Sequence, residues 1–369
     1  MKSYDRSKWE TVKLGDIVEI ISGGTPKTDT VAYWDGDIPW CTPTDITSNS
    51  NKYIHRTERN ITEKGLANSA ARLLPKNTLL LCSRATIGAV KIAGQSMCTN
   101  QGFKNLVCKE KISHEFLFYY IPKLKAQMLS QASGSTFLEI SKAKLANIEL
   151  EIPCDIEEQN FIANTLAAID NHINNLESKI SKYENIKKST INLLLAPRSN
   201  WQEIKLGDIC SITTGKLDAN AMSPHGKYAF FTCAKEVYKI NNYAFDTEAL
   251  LVSGNGSHVG YVHYYKGRFN AYQRTYVLDK FTANILFVKY FLDCKLSQRI
   301  DAEKKSGNTP YILRDTLYDM KLTIPVSITE QERIATQLSE IDAHIENLKQ
   351  QLAKQRAIKQ GLMQFFFGD

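Results

Sequence analysis

Residues 166–176 read LAAIDNHINNL, and residues 338–348 repeat the pattern as LSEIDAHIENL in the same register. Apolar residues around each copy are spaced alternately four and three apart, which is the heptad pattern of a coiled-coil helix. Two copies in one chain favour antiparallel pairing of two helices of about 40 residues, roughly 60 Å long at 1.5 Å per residue. The alternative is that each helix packs only on its own globule. The pairing positions are Ile162, Leu166, Ile169, Ile173, Leu176, Ile180, Ile334, Leu338, Ile341, Ile345, Leu348 and Leu352.

Each helix closes one copy of a longer internal repeat. The first copy opens as WETVKLGDIVEIISGGT at Trp9 and the second as WQEIKLGDICSITTGKL at Trp201, an offset of 192 residues. A second matched block begins at Ser133 and at Ser306 and runs into the helix. The stretches between the matched ends are much less alike. The repeat therefore predicts two globules with one frame and different middle regions, which need not bind the same ligand.

The matched blocks also predict local structure. Residues 148–152 and 320–324 alternate apolar and polar side chains and stop at a proline, as a strand entering a turn does. The sequences EEQ at 157–159 and TEQ at 329–331 favour a helix start, with Thr329 as a candidate cap. We therefore predict an α+β fold: two mixed α/β globules separated by two long antiparallel coiled-coil helices, with a pseudo-two-fold internal repeat.

The composition of the 369-residue chain is ordinary and its net charge of +7 is mildly basic, which is compatible with a polyanionic partner. Its eight cysteines form no Cys-x-x-Cys pair and no zinc-ligand spacing, so they indicate scattered apolar residues in a reducing compartment. The first ten residues, MKSYDRSKWE, have no apolar core of the kind a signal peptide needs, and the apolar runs of the sequence are too short to cross a bilayer. We expect a soluble cytoplasmic protein without a membrane role.

Polar loops at equivalent places in both globules are candidates for contact with DNA. Gly-containing turns at 84–88 and 254–260 follow strands, and turns at 98–104 and 270–276 carry amide and cationic side chains. Asn and Gln can read adenine and Arg or Lys can read guanine, although such residues are more often ordinary surface or hairpin residues. The aromatic segment 33–40 is typical of a core, with two threonines at its edge. The candidates are Lys27, Thr42, Thr44, Arg84, Thr86, Asn100, Gln101, Lys104, Asn255, Ser257, His258, Gln273, Arg274, Lys305 and Asn308.

Enzyme signatures are missing from the sequence. It has no phosphate-binding Gly-x-x-x-x-Gly-Lys-[Ser/Thr] loop, no Gly-x-Gly-x-x-Gly motif and no Asn-Pro-Pro-aromatic stretch of an amino-methyltransferase. The best nuclease-like group is Asp301 with the neighbouring stretch 303–305 (EKK), which has no equivalent in the first copy. We expect no catalytic residue and no metal site.

With the paired blocks WETVKLGDIVEIISGGTP, CSRATIGAV and SGSTFLEISKAKLANIELEIP and their second-copy counterparts, the sequence resembles DNA specificity subunits of type I restriction-modification systems. The resemblance extends from Trp9 to about Phe367, and the ordered pair of units carries it. It implies target-recognition domains at 1–155 and 199–327, each reading one half of a bipartite, asymmetric sequence in double-stranded DNA. It implies spacer helices at 156–198 and 328–369.

The resemblance also implies partners. Two adenine methyltransferase subunits, which carry S-adenosylmethionine, would dock on the helices through the heptad positions, and motor-nuclease subunits would join that core. This chain would bind no cofactor itself. Removing Lys27 or Lys104 should then weaken binding to all DNA sequences alike, as loss of a phosphate contact does.

Two other hypotheses stay open at this point. The chain could be a self-contained nuclease or methyltransferase, which requires activity from the purified chain alone. It could also be a scaffold that binds proteins at both ends and has no role at DNA.

Overall fold

The computed structural model describes residues 4–49, 51–134, 138–303 and 311–368. The chain divides into two compact units: unit 1 consists of Met1–Asn175 with Leu352–Asp369, and unit 2 is Leu176–Gln351. Each unit contains one mixed α/β globule and a part of both long helices. Two mixed globules and two long helices are the elements that the sequence pattern predicts.

Both halves of the chain open with a strand, a short helix and a second strand, and both close with two helices, a strand and a long helix. In the first half they are β1 (Trp9–Lys13), α1 (Leu14–Ile17), β2 (Val18–Ser22), β3 (Trp34–Cys41), α2 (Pro43–Ser48), β4 (Tyr53–Ile54), β5 (Arg59–Ile61), α3 (Glu63–Ala67), β6 (Leu79–Leu81), β7 (Val90–Ala93), β8 (Cys98–Thr99), β9 (Lys104–Cys108), α4 (His114–Gln131), α5 (Lys142–Ala146), β10 (Glu149–Pro153) and α6 (Ile156–Leu194). In the second half they are β11 (Trp201–Lys205), α7 (Leu206–Ile209), β12 (Ser211–Thr214), β13 (Tyr228–Phe231), β14 (Tyr238–Ile240), β15 (Phe245–Ser253), β16 (Val262–Ala271), β17 (Thr275–Asp279), α8 (Ile285–Glu303), α9 (Arg314–Tyr318), β18 (Lys321–Pro325) and α10 (Ile328–Phe367). Two 3-10 turns, Val31–Tyr33 and Ala219–Ala221, complete the set.

The central sheets of the two globules share four antiparallel strands in one order, β2-β9-β6-β7 in unit 1 and β12-β17-β15-β16 in unit 2. The sheet of unit 1 has five strands in the order β2-β9-β6-β7-β4, and that of unit 2 has six in the order β12-β17-β15-β16-β13-β14. All described neighbours pair antiparallel except β4 with β7 and β13 with β16, which are parallel. The middle regions, which differ most in sequence, therefore build the same four-stranded part of the sheet and differ in the strands beyond it. In unit 1, strand β3 pairs in parallel with β8 in a separate small sheet, β5-β3-β8, as β13 pairs with β16 in the central sheet of unit 2.

A helix packs on the central sheet of each globule. Helix α4 of unit 1 buries Phe116, Tyr120 and Leu124, which are spaced four apart and so lie on one face. Helix α8 of unit 2 buries Phe287 and Phe291 at the same spacing. Fully burying an aromatic or leucine side chain of this kind stabilises a fold by about 1.5–3 kcal/mol. The core of each globule lies between this helix and the sheet.

A two-stranded stalk connects each globule to its long helix. In unit 1, β1 and β10 pair antiparallel with Trp9 opposite Pro153, and in unit 2, β11 and β18 pair with Trp201 opposite Pro325. The chain therefore enters and leaves each globule side by side. The whole less-similar region of each unit lies between the two stalk strands.

The start of each long helix is tied to the stalk by the EEQ and TEQ motifs. The indole nitrogen of Trp9 donates to Glu158 at 3.0 Å, and that of Trp201 donates to Glu330 at 3.3 Å. The helices begin at Ile156 and Ile328, so Thr329 lies inside the first turn. The capping role predicted for Thr329 is wrong, because the backbone N–H of Glu330 bonds the hydroxyl of Ser327 at 3.4 Å.

A buried glutamine follows each of those glutamates. The amide of Gln159 is fully buried and donates to the carbonyls of Pro153 at 2.9 Å and Lys111 at 3.1 Å, while its oxygen accepts from the Ser113 N–H at 2.8 Å. Gln331 is its counterpart in unit 2. Each glutamine therefore joins the stalk, the long helix and the start of the helix that covers the sheet.

The heptad positions lie on the buried faces of the long helices, and four of them, Ile162, Leu166, Ile334 and Leu338, belong to the cores of the globules. Nine of the twelve are buried, and Ile169, Ile341 and Leu352 are half-buried. Within unit 2, Glu184 forms an ion pair with Lys349 at 2.9 Å and Lys187 forms one with Asp342 at 2.6 Å. Residue numbers rise along α6 where they fall along α10, so the two helices run antiparallel. This is the antiparallel pairing that the heptads predict. Among the helices of the described ranges, none has the length and apolarity needed to span a membrane.

Each unit fastens both long helices to its globule through a matching trio. In unit 1 the Tyr119 hydroxyl donates to Asp170 at 2.9 Å, and Lys359 bonds the same carboxylate at 2.6 Å. In unit 2, Tyr290 donates to Asp342 at 2.9 Å, and Lys187 bonds that carboxylate at 2.6 Å. Helix α6 supplies the aspartate in one trio and the lysine in the other.

Burial keeps the two tyrosines protonated and therefore able to donate. It raises the pKa of Tyr119 far above the ordinary phenol value, and the charge of Asp170 raises it further. Burial likewise raises the pKa of Tyr290, and the bond to Asp342 adds to the effect. The tyrosine to aspartate bond thus persists across the physiological pH range.

Candidate nucleic-acid interface

The turn at Asn100–Gly102 brings together several of the unit 1 candidates. The Asn100 N–H donates to the Cys41 carbonyl at 3.0 Å, and the Ser83 N–H donates to the Gly102 carbonyl at 2.8 Å. The carboxamide oxygen of Asn100 accepts from the Gly102 N–H at 2.9 Å, which closes the turn. The ends of β3, β6 and β8 therefore meet here. Thr42, Arg84, Asn100 and Gln101 lie in the segments that converge.

These side chains differ in their exposure and in the hydrogen bonds that they already make within the protein. Thr42 caps α2 and is committed, since its hydroxyl and its N–H both bond the Asp45 carboxylate, at 2.6 and 2.8 Å. Gln101 is exposed and accepts a hydrogen bond from Thr25. Thr44 and Thr86 are exposed, and Lys27 is an exposed residue of the loop after β2. The exposed side chains of Lys27, Thr44, Thr86 and Gln101 present polar groups to solvent in this part of unit 1.

The aromatic segment 33–40 forms a small core, as its composition indicates. Trp34 and Trp40 are 7% and 5% exposed, and their rings meet edge to face at 5.0 Å. Each indole N–H donates to a backbone carbonyl, that of Lys27 at 3.1 Å and that of Gly24 at 2.9 Å. The tryptophans therefore fix the loop that carries Lys27.

Glu139 joins two of the cationic candidates. Its carboxylate accepts from Arg84 Nε at 2.7 Å and from Lys104 Nζ at 3.0 Å. The side chain of Arg84 is 43% exposed, whereas that of Lys104 is 9% exposed. Lys104 is therefore a buried member of an ion-pair network and does not offer the free surface charge that we expected of a phosphate contact. The sequence around Lys104 did not reveal this burial, because its partner Glu139 lies far away in sequence.

The carboxylate of Glu139 is held in its ionised form. Burial raises its pKa, but the hydrogen bonds and charges of Arg84 and Lys104 outweigh burial and bring the pKa below the usual glutamate value. A lowered pKa means that the stabilisation is complete above the ordinary glutamate pKa and is lost as the pH falls through the native-state value. The network is therefore intact at neutral pH.

Unit 2 builds the corresponding edge from other residues. The Gly254 N–H donates to the Arg274 carbonyl at 2.9 Å, and the Tyr272 N–H donates to the Phe231 carbonyl at 2.8 Å, as at the unit 1 turn. Two of the unit 2 candidates, Gln273 and Arg274, are exposed residues of this turn. Three more, Asn255, Ser257 and His258, lie in the loop after β15. Lys305 and Asn308 lie outside the described residues.

The strand register shows which residues of the two units are equivalent. Ser22 pairs with Lys104 in unit 1, and Thr214 pairs with Tyr276 in unit 2. Lys104 therefore corresponds to Tyr276, and Arg274 occupies the position of Gly102.

Likewise, the bridge between Arg84 and Glu139 corresponds to the bridge between Asn255 and Tyr311. Tyr276 donates its hydroxyl to the Ile312 carbonyl at 2.9 Å. Three equivalent positions thus carry two cations and an anion in unit 1 and three uncharged residues in unit 2. The two edges differ in charge on one shared frame.

Sequence reasoning missed Glu139. It lies in the matched block that begins at Ser133, where it looked like part of the repeat rather than a partner of two cations. The signal that could have found it is a difference between the two copies: the first has an acidic residue where the second has Tyr311.

The described part of the nuclease-like group, Asp301 and Glu303, shows no metal-binding geometry. Asp301 is exposed near the end of α8, and Glu303 accepts a hydrogen bond from Thr316 at 2.7 Å and pairs with Arg299 at 2.7 Å. Over residues 4–49, 51–134, 138–303 and 311–368, no three His, Cys, Asp or Glu side chains come together as a metal site would require. The carboxylate of Glu303 thus has two partners in unit 2.

Comparison with known proteins places these features in a family. Residues 6–184 and 198–355 match the family described as type I restriction modification DNA specificity domain. The chain is 37% identical over 231 residues to the type I restriction enzyme MjaIX specificity subunit of Methanocaldococcus jannaschii, which is 56% of this chain and 52% of that protein. It is 39% identical over 153 residues to the EcoDI specificity subunit of Escherichia coli, covering 42% of this chain and 34% of the relative. These matches span about half or less of the relatives' length.

Two further comparisons cover nearly the whole chain. The EcoprrI specificity subunit of Escherichia coli is 24% identical over 370 residues, which is 92% of this chain and 89% of that protein. The crystal structure of a type I restriction-modification S subunit from Mycoplasma genitalium superposes with a TM-score of 0.74 at 17% identity, over 100% of this chain and 98% of that one. At that identity the superposition establishes the fold.

Proposed function

This chain belongs to the family of type I restriction modification DNA specificity domains, and from that premise we propose that it is a non-catalytic subunit that reads duplex DNA. Each globule reads one half of a bipartite, asymmetric target. The observation that carries this proposal is the shared frame with different edges, since Arg84, Lys104 and Glu139 in unit 1 are replaced by uncharged residues in unit 2. One frame with two sets of side chains suits two different half-sites.

The DNA-facing side chains in this proposal are the exposed candidates at the two edges. Phosphate contacts come from Lys27 and base contacts from the amide and guanidinium groups of Arg84, Gln101, Gln273 and Arg274. The burial of Lys104 removes it from the phosphate contacts.

The partners follow from the same premise. We propose that two methyltransferase subunits dock on the long helices, that S-adenosylmethionine is bound by those subunits and not by this chain, and that motor-nuclease subunits join the assembly. The matching trios support a docking surface with two equivalent halves, because each unit presents both helices in the same local arrangement.

Single-molecule sequencing of methylated adenines tests the proposal, comparing the source genome with the gene intact and deleted. Loss of one bipartite, non-palindromic motif on deletion is the expected result. Exchanging residues 30–130 for those of a relative should then change one half of the motif and leave the other unchanged. An unaltered motif after the exchange contradicts the proposal.

The enzyme alternative has its own test. A self-contained nuclease or methyltransferase would act on DNA as the purified chain alone, and Asp301→Ala would abolish cleavage. We expect no activity from the purified chain in either form.

A further inference from the structure

Glu139 holds the Arg84 guanidinium by one nitrogen only. The bond runs from Nε to the carboxylate at 2.7 Å, and within the ranges that the structure describes neither terminal nitrogen of Arg84 has a hydrogen-bond partner. A guanidinium carries five N–H groups in a rigid plane. Fixing Nε therefore sets the direction of the plane and leaves the edge with the two terminal nitrogens unused.

The backbone on both sides of the Arg84–Glu139 bond is fixed as well. Arg84 and Glu139 form a β-bridge, and the Ile140 N–H donates to the Ser83 carbonyl at 3.1 Å. Ala85 follows with a φ of +54°, a conformation that persists in a non-glycine residue only when its surroundings hold it there. The guanidinium is thus oriented from a fixed backbone and not from a free loop.

Lys104 holds the Glu139 carboxylate from its other oxygen. Its ammonium bonds the other oxygen of the Glu139 carboxylate at 3.0 Å and is 9% exposed. The carboxylate therefore has one cation on each oxygen, and this restricts its rotation. Two anchored oxygens fix the position of the acceptor that Arg84 Nε meets.

We propose that Glu139 is a specificity-determining residue that positions Arg84 to read one guanine in the half-site of unit 1. The inference rests on the proposed DNA-reading function. The two terminal nitrogens of Arg84 donate to O6 and N7 of the guanine in the major groove, a bidentate contact that other bases cannot match. Unit 2 lacks this device, because Asn255 and Tyr311 occupy the equivalent positions.

A role of Glu139 in positioning Arg84 and a role through its charge alone predict changes in different quantities. Removing a negative charge near DNA should strengthen binding to every sequence if Glu139 acts only through its charge. If Glu139 orients Arg84, its removal should weaken the preference for guanine at one position of the motif. Stronger binding to every duplex therefore indicates the charge role, and a weaker guanine preference at one position indicates the positioning role.

The experiment uses the full chain in complex with a co-expressed methyltransferase subunit and a pool of duplexes with a randomised centre. Bound duplexes are sequenced, and the preference for each base at each motif position is compared among variants. We expect Arg84→Ala to reduce the guanine preference at one position about 5- to 150-fold, the equivalent of 1–3 kcal/mol for a bidentate pair. Glu139→Gln should reduce the same preference, and the double variant should match Arg84→Ala, because Glu139 acts through Arg84.

The controls separate positioning from folding and from total charge. Glu110→Gln removes an exposed carboxylate of unit 1 and should leave every position unchanged. Tyr311→Phe changes the counterpart in unit 2 and should leave the unit 1 half-site intact. Should Glu139→Gln not fold, as judged by thermal unfolding, Glu139→Asp keeps the charge and should give an intermediate loss of guanine preference.

Each outcome decides one question. A wild-type complex that selects no bipartite motif would sink the proposed function itself. A clear wild-type motif with an unchanged guanine preference in Arg84→Ala, or an equal weakening at all positions in either variant, would overturn the positioning role and leave the proposed function standing.

Discussion

The buried amide of Gln159 offers the sharpest test of how the stalk, the long helix and the sheet-covering helix are joined. Gln159→Leu keeps a side chain of similar size and leaves the Ser113 N–H and the Pro153 carbonyl, both in buried residues, without partners. Each buried group left unpaired costs about 1–3 kcal/mol, so the variant should lose about 2–6 kcal/mol of unfolding free energy.

The matched variant in unit 2 should lose less. Gln331 makes two bonds, to the Pro325 carbonyl and from the Asn284 N–H, both at 2.8 Å. Asn284 is half-buried, so water can reach part of what Gln331→Leu leaves unpaired. We therefore expect Gln159→Leu to destabilise its unit more than Gln331→Leu destabilises its own. Asn160→Leu, an exposed neighbour on the same helix, is the control and should stay within about 0.5 kcal/mol of the wild type.

Urea unfolding followed by tryptophan fluorescence measures the effect. Three of the four tryptophans, at positions 9, 34 and 40, belong to unit 1, so a Trp201→Phe background reports on unit 1 alone; Gln331→Leu, which lies in unit 2, is followed by far-UV circular dichroism with Trp201 retained. With an m-value of about 2 kcal/mol/M, the expected loss lowers the midpoint by about 1–3 M without changing the slope. A midpoint for Gln159→Leu equal to that of Asn160→Leu would refute the reasoning.

The other predictions concern a thiol, a phosphate contact and a trio. Cys154 is exposed, whereas Cys82 is fully buried and burial raises its pKa to about 11, so a thiol reagent should label Cys154 first in peptide mass spectra; equal labelling rates would contradict this. Lys27→Ala should weaken binding to all duplexes alike and lower the salt slope by about one, as read by fluorescence anisotropy between 50 and 200 mM salt, and a loss confined to one sequence would speak against a phosphate contact. Tyr119→Phe should cost about 1–2 kcal/mol in urea unfolding by removing the bond to Asp170, and unchanged stability would show that the trio contributes nothing.

Local patterns carried the prediction of the frame. The heptads and the internal repeat indicated paired long helices and two globules, because apolar periodicity and copied blocks are visible within short windows of sequence. The order of strands in the sheets was beyond such windows. Strands β6 and β8 have three and two residues, and β4 joins the sheet in parallel to β7, so their pairing depends on contacts distant in sequence.

The candidate site shows the same limit. The turn residues Asn100 and Gln101 were found from their chemistry, and the structure places them at one edge with Arg84. Lys104 was misjudged because the residue that neutralises it, Glu139, is 35 positions away. The EEQ motif was recognised as a helix start from its charge, but the structural role of Gln159 depends on Ser113 and Pro153, which only the folded chain brings to it.

The paired stalk strands have a consequence for inheritance. Because the chain enters and leaves each globule at neighbouring positions, with Trp9 facing Pro153 and Trp201 facing Pro325, the segment between them has only two adjacent points of attachment to the rest of the protein. Recombination between genes that match only in the stalk and the start of the long helix would replace one globule whole. Under the proposed function, a lineage that carries the gene would in this way acquire a new half of its target in a single genetic event, with no compensating substitution elsewhere in the chain.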